Sequence, residues 1–121
     1  MPTIALAMPI PPEKYDAWRA AVQSFAGERR GEYDASRRRL GAERTRSWVQ
    51  ETPQGPIELL VIDATDPARF FEQLATSQEP FDVDFRAFLL DVYGLDLTRP
   101  LPVPLPELLL DWSASEATTP A

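Results

Sequence analysis

The chain has neither cysteine nor histidine among its 121 residues. Without thiols it cannot build disulfides, zinc–thiolate sites, iron–sulfur clusters or a cysteine nucleophile. Without imidazole it lacks the commonest general base, the commonest metal ligand and the usual haem axial ligand. Serine–histidine triads and histidine-ligated zinc or iron centres are excluded with it. Lysine is nearly absent too, Lys14 standing alone beside eleven arginines. Catalysis would rest on carboxylates, Tyr, Arg, Lys14 or a bound cofactor, and a metal on Asp and Glu alone. Long hydrophobic runs are also missing. The opening "MPTIALAMPI" is apolar, but it is too short to span a bilayer and lacks a charged leader and a small-residue cleavage site. It reads as a β-strand, and the chain as a cytoplasmic protein.

What is present fits one globular domain. The length leaves no room for two cores and buries roughly two thirds of the unfolded surface. Apolar residues make up 44% of the chain, which is ordinary for a folded domain. The net charge of −7 hides an asymmetry: residues 1–50 carry nine basic and six acidic groups, residues 51–121 three and thirteen. An acidic chain is repelled by phosphate backbones and anionic lipid, so neither nucleic acid nor membrane is an expected partner.

Residues Thr3 to Ile10 alternate large and small, as in a strand with a thick layer on one face and a close neighbour on the other. "PIPP" stops it, and Pro12 opens a helix whose stripe is Tyr15, Trp18, Val22 and Phe25. Gly27 interrupts that helix. A second piece over residues 30–40 ends at Gly41. Its "SRRRLG" spreads three arginines around the helix, which reads as a solvated surface ion-paired to Glu32 and Asp34. Residues 42–52 and "IELLVIDA" form two strands joined by "PQGP", a hairpin. The second is aliphatic on both faces and reads as central and covered on both sides. Asp66 caps and Pro67 starts the next helix, with Phe70, Phe71, Leu74 and Ala75 buried. Another runs from Pro80 to Gly94, with Phe81, Phe85, Phe88, Leu89 and Val92 on one side. The proline-rich residues 99–106 form an extended arm, "ELLLDW" a last strand, and residues 113–121 a polar, disordered tail.

The order is strand, helix pair, strand, strand, helix pair, strand. That is the α+β, ferredoxin-like βαββαβ sandwich over residues 1–112, one antiparallel sheet with helices on one face. Apolar positions on both sides of its strands call for cover on the other face, and a second copy in a two-fold dimer supplies it.

The best candidate site is the even-numbered row of the second strand: Arg44, Arg46, Trp48 and Gln50. Two forked donors, a flat indole and an amide suit an anion or carbonyl group. Glu58 on the next strand could orient an arginine or act as general base with Arg44 as oxyanion partner, and Phe81 and Phe85 would complete the pocket wall. The same residue types also suit an inter-sheet dimer contact or cross-strand ion pairs to Glu43, Glu51 or Glu58, the stronger of the two readings. Asp82 and Asp84 diverge by roughly 200° on a helix and read as first-turn acids, not chelators. The Ser77–Glu79 turn before that helix could offer N–H groups to an anion. Asp63 is left to meet Arg69 or Arg86, and with Asp66 it supplies too few ligands for a metal.

The stretches "MPIPPEKYDAWR", "RTRSWVQETPQGPIELLVID", "DPARFFEQLATSQEPFDVDF" and "YGLDL" resemble the dimeric α+β barrel superfamily, over about residues 2–112. The chain is most similar to a bacterial family of that superfamily with no assigned activity. The resemblance implies two ferredoxin-like subunits packed sheet to sheet, with a pocket between sheet and helices. The superfamily holds cofactor-independent monooxygenases of polyketide-like quinols, small isomerases and haem enzymes. Its haem branches rest on a histidine this chain lacks, and no monooxygenase's working residues map onto it. The functional expectation is a small-molecule-binding homodimer using no cofactor, either an enzyme of the monooxygenase or isomerase type or a non-enzymatic structural or regulatory module.

Overall fold

A computed structural model describes residues 2–101 and 104–114. Three strands, β1 (Thr3–Pro9), β2 (Ala42–Thr52) and β3 (Gly55–Ala64), combine with four helices, α1 (Tyr15–Ala26), α2 (Arg30–Arg39), α3 (Pro67–Thr76) and α4 (Pro80–Tyr93). The sheet runs β1-β3-β2 with both pairings antiparallel. The class is α+β. β3 is the central strand, as its near-continuous aliphatics require.

Local chemistry sets the element ends. Pro12 opens a single 3-10 turn that leads into α1. Asp66 accepts from the Arg69 N–H at 3.2 Å and caps α3, with Pro67 at the first helical position where no N–H is needed. Gly94 closes α4 at φ 67°, a left-handed conformation that costs glycine little. Gly55, at φ 116°, serves the hairpin in the same way, and the Thr52 hydroxyl bridges that turn to the Gly55 carbonyl at 2.7 Å.

Period-two alternation assigns each strand residue to a face. The register sets Ile4 opposite Ile62, Leu6 opposite Leu60 and Met8 opposite Glu58. On the other side of β3, Thr45 faces Ile62, Ser47 faces Leu60 and Val49 faces Glu58. These residues share the face that the helices cover. One core cluster joins Leu40, Ile62 and Ala64 to Phe70 and Leu74 of α3. A second joins Ile10 to Trp18 of α1 and Val92 of α4. Phe70 is 2% exposed, so truncation to Ala removes one of the largest contributions, about 3–5 kcal/mol. The opposite face, with Ala5, Ala7, Ile57, Leu59 and Val61, carries no helix among the described residues, and these five side chains are exposed or half-buried.

Two expectations change here. "ELLLDW" forms no strand: residues 107–112 are irregular, with Leu108, Leu109, Leu110 and Trp112 between 69% and 85% exposed. A strand needs a partner for its backbone donors and acceptors, and residues 107–112 pair with none of the three strands, which leaves the outer edge of β1 unpaired among the described residues. Leu101 of the proline-rich arm borders, with Phe71 and Ala75 of α3, a shallow groove. Residues 102 and 103 of that arm and most of the tail, 115–121, lie outside the described residues.

The second change concerns the triple arginine. Arg38 pairs with Asp34 at 3.0 Å on the surface, and Arg39 turns inward to Asp82 at 2.8 Å. Glu32 pairs with Arg29 and not with the run. Arg37 is not solvated at all, being 7% exposed among aromatic rings. Each residue step turns a helix by about 100°, so three arginines in a row span roughly 200°, and here Arg37 falls on the packed side.

Candidate functional site

The residues picked out in the sequence fall on opposite sides of the sheet. Arg46, Trp48 and Gln50 pair in register with Val61, Leu59 and Ile57, on the open face. Arg44 pairs with Asp63 beside an irregularity at the start of β2, and it alone of the row also borders the cleft on the helix side. Glu58 and Phe85 line that cleft. Phe81 is buried behind it, its ring 5.6 Å from Phe25 and 6.2 Å from Phe85. The seven candidates therefore do not converge. A one-residue step along a strand reverses the face, so Arg46, Trp48 and Gln50 could share a pocket with Glu58 only through a different register.

On the open face the Arg46 guanidinium lies 5.6 Å from the Trp48 ring, and Trp48 is half exposed. Arg46 Nε is buried without a hydrogen-bond partner. Asp63 accepts from the Thr3 hydroxyl at 2.6 Å, in place of the expected arginine. Arg86 instead donates to the Leu74 and Ser77 carbonyls, at 2.8 and 2.7 Å.

The cleft on the helix side has a volume of about 920 Å³. Its floor is the inward row of the sheet, Leu6, Met8, Leu60 and Ile62, and its roof includes Phe25, Phe85 and Phe88. Phe25 holds the roof together, with ring centroids 5.5 Å from Phe85 and 5.6 Å from Phe88. Such contacts add about 0.5–1.5 kcal/mol each beyond area burial.

Charged side chains such as Arg30, Asp34, Arg38, Glu43 and Arg44 also border the cleft, but only two of its charged groups, Glu58 and Arg37, are buried. Glu58 is 5% exposed, and both of its oxygens are acceptors: Ser47 donates to one at 2.5 Å, and the Tyr93 hydroxyl donates to the other. Among the described residues no cation lies within ion-pair distance of it. A carboxylate offers about four acceptor positions, so roughly two remain open. Burial, and then the adjacent Glu58 charge and hydrogen bond, push the Tyr93 phenol far above its ordinary range. Tyr93 thereby stays a hydrogen-bond donor beyond the pH at which an ordinary phenol ionises. Ser47 is exposed, which opens this end of the cleft to solvent.

The other polar group is Arg37. Its guanidinium carbon lies 4.3 Å from the Phe85 ring centre, 4.6 Å from Tyr33 and 5.7 Å from Phe70. Its Nη1 is buried with no hydrogen-bond partner.

A third polar cluster holds the roof in place. Asp82 is fully buried and accepts from Ser36 at 2.5 Å, Ser77 at 2.5 Å and Arg39 at 2.8 Å. Burial alone would raise its pKa, but the two serines and Arg39 together hold the carboxyl below its usual range. This knot ties α2 to the start of α4. The Ser77 hydroxyl also accepts from the Glu79 N–H at 3.2 Å, so one of the N–H groups this turn could offer an anion is already bonded.

Ser47, Tyr93 and Arg37 escaped the sequence reading. Ser47 sits on the odd-numbered face of β2, and Tyr93 looked like the residue before a helix stop. Their signal lay in Glu58 itself, a lone acid in an aliphatic strand whose inward position demands donors. Among the described residues no group of acids could hold a metal ion, and no helix is long and apolar enough to cross a membrane. Set against protein-family models, curated proteins and solved structures, the chain matches none.

Proposed function

We propose that the chain binds a small organic molecule in the cleft between sheet and helices, with Glu58 as its polar anchor. The observation that carries this reading is a carboxylate 5% exposed and, among the described residues, without a cation, facing an aromatic-roofed cleft of about 920 Å³. That size falls within the roughly 300–1,000 Å³ of small-molecule sites, which are mostly apolar with a few convergent polar groups. A buried carboxylate with hydroxyl partners alone is costly to stability, and it finds its use when a ligand donor approaches. In an enzymatic version Glu58 takes the proton and Tyr93 and Ser47 hold its oxygens in place, chemistry that suits the isomerase or cofactor-independent monooxygenase type. Kinship with the dimeric α+β barrels belongs to the same proposal.

The test is a thermal-shift screen of a metabolite panel against wild type and Glu58→Gln. At least one compound should raise the wild-type melting temperature and lose most of that effect in the variant. A panel that shifts neither protein, or both equally, removes the support.

A second reading concerns the open face of the sheet. Half-exposed Trp48, the orphaned Arg46 Nε and the exposed Leu108–Leu110 run favour a second copy as its cover. In that arrangement residues 107–112 add a fourth strand to the β1 edge and complete the ferredoxin-like layout. The Arg44–Gln50 row is then a dimer contact and not a pocket wall. This homodimer is compatible with cleft binding, and it also suffices for a purely structural or regulatory module.

A further inference from the structure

We propose that the cleft selects an aromatic monoanion, with Arg37 gripping its acidic group; this rests on the small-molecule reading of the same cleft. Arg37 is 93% buried, by its 7% exposure, yet among the described residues no carboxylate lies within ion-pair distance of it. The aromatic rings of Tyr33 and Phe85 stabilise its charge from the sides, but they leave Nη1 without an acceptor. A guanidinium presents a planar fork of donors that matches a carboxylate or sulfonate in two parallel hydrogen bonds. An oxyanion entering the cleft meets that need and neutralises the charge in one step. The acids that line the cleft leave Arg37 unpaired: Asp34 is engaged by Arg38 on the surface, Glu43 is exposed, and Glu58 lies toward the other end. Arg37 packs beside the Phe70 and Ile62 cluster, four residues along β3 from Glu58, which is roughly 13 Å at about 3.3 Å per residue. A fused aromatic acid spans that interval, its ring between the sheet floor and Phe25 and Phe88. Glu58 repels a second negative charge and accepts from a hydroxyl or amine, so the ligand is a monoanion with a donor at its far end.

The test uses two fluorescent probes of one skeleton, anionic 1-anilinonaphthalene-8-sulfonate and neutral N-phenyl-1-naphthylamine. Both are titrated into the full chain and into Arg37→Met and Arg37→Lys, with circular dichroism confirming the fold. Wild type should bind the anion about tenfold more tightly than the neutral probe, at one site per chain. Arg37→Met should abolish that preference while the neutral affinity stays within about twofold, and Arg37→Lys should keep part of it. Displacement of the neutral probe from wild type by 2-naphthoate at about one tenth of the concentration needed of 2-methylnaphthalene, which has neither charge nor donor, gives the same answer without any variant. Equal affinity for the two probes, or a preference that survives Arg37→Met, overturns the anion assignment and leaves the cleft reading standing. Failure of both probes to bind wild type overturns the two together.

Discussion

Replacing Asp82 tests whether the buried knot between α2 and α4 holds the roof of the cleft. The carboxylate accepts from Ser36, Ser77 and Arg39, of which Ser36 is buried, Ser77 half-buried and Arg39 the most exposed, at 37% of its side chain. Hydrogen bonds to a charged group are worth about 1.5–3 kcal/mol, and a half-exposed ion pair below about 1 kcal/mol. The two serine bonds and the discounted pair together reach roughly 4 kcal/mol, of which about 1 kcal/mol returns because a buried charge is no longer desolvated. Asp82→Ala is therefore expected to lose about 3 kcal/mol, and Asp82→Asn, which keeps one acceptor, about half of that. At a few degrees per kcal/mol the melting temperature falls by roughly 10–15 °C for Ala. Urea titration with an unchanged slope should confirm the loss as one of stability. The pH dependence gives a second check. A carboxyl whose folded pKa is depressed contributes stability above its unfolded value, near 3.9, and loses it as the pH falls through the folded value. The gap between wild type and Asp82→Asn should narrow accordingly below about pH 4. A loss under about 1 kcal/mol for Asp82→Ala, or a gap that ignores pH, refutes the reasoning.

Arg37→Met should stabilise the chain by about 1–2 kcal/mol in urea denaturation, because a buried cation without a partner is replaced by an apolar side chain of similar length. A destabilised Met variant would mean that the ring contacts outweigh the missing acceptor. Tyr93→Phe removes one of the two donors to Glu58 and should lower stability by about 1–2 kcal/mol in the same assay. The raised Tyr93 phenol should stay un-ionised in the folded chain past pH 10, with its 295 nm absorbance step arriving only on alkaline unfolding. Its stabilising effect is complete below that pH and fades as the pH rises toward the folded value. Trp48→Glu should convert a particle of twice the 13.6 kDa chain mass to the single mass in light scattering; a wild type that is already monomeric removes the sheet-to-sheet dimer.

Local signals in the sequence were legible where backbone chemistry decides. Asp66–Pro67, Gly94 and the "PQGP" turn mark their element ends, and the aliphatic run of β3 marks the central strand. The site was legible only in part. Glu58 stood out, but its partners depended on the face assignment, and linking it to Trp48 and Gln50 required side chains that the pleat points apart. The arginine run misled because exposure on a helix is set by its neighbours: Phe70 and Phe85 enclose Arg37, and both are distant in sequence. Asp82 read as a simple first-turn acid because Ser36 lies 46 residues away. "ELLLDW" had the composition of a strand, but a strand also needs a partner that composition does not supply.

The most direct measurement is a backbone amide titration of isotopically labelled wild type with 2-naphthoate, read by nuclear magnetic resonance. The proposal predicts shift changes at Tyr33, Arg37, Ser47 and Tyr93, on both sides of the cleft, with the amides of Ile57 and Leu59 responding less. Changes centred on Trp48 and its neighbours across the open face, or no saturable change anywhere, would contradict it.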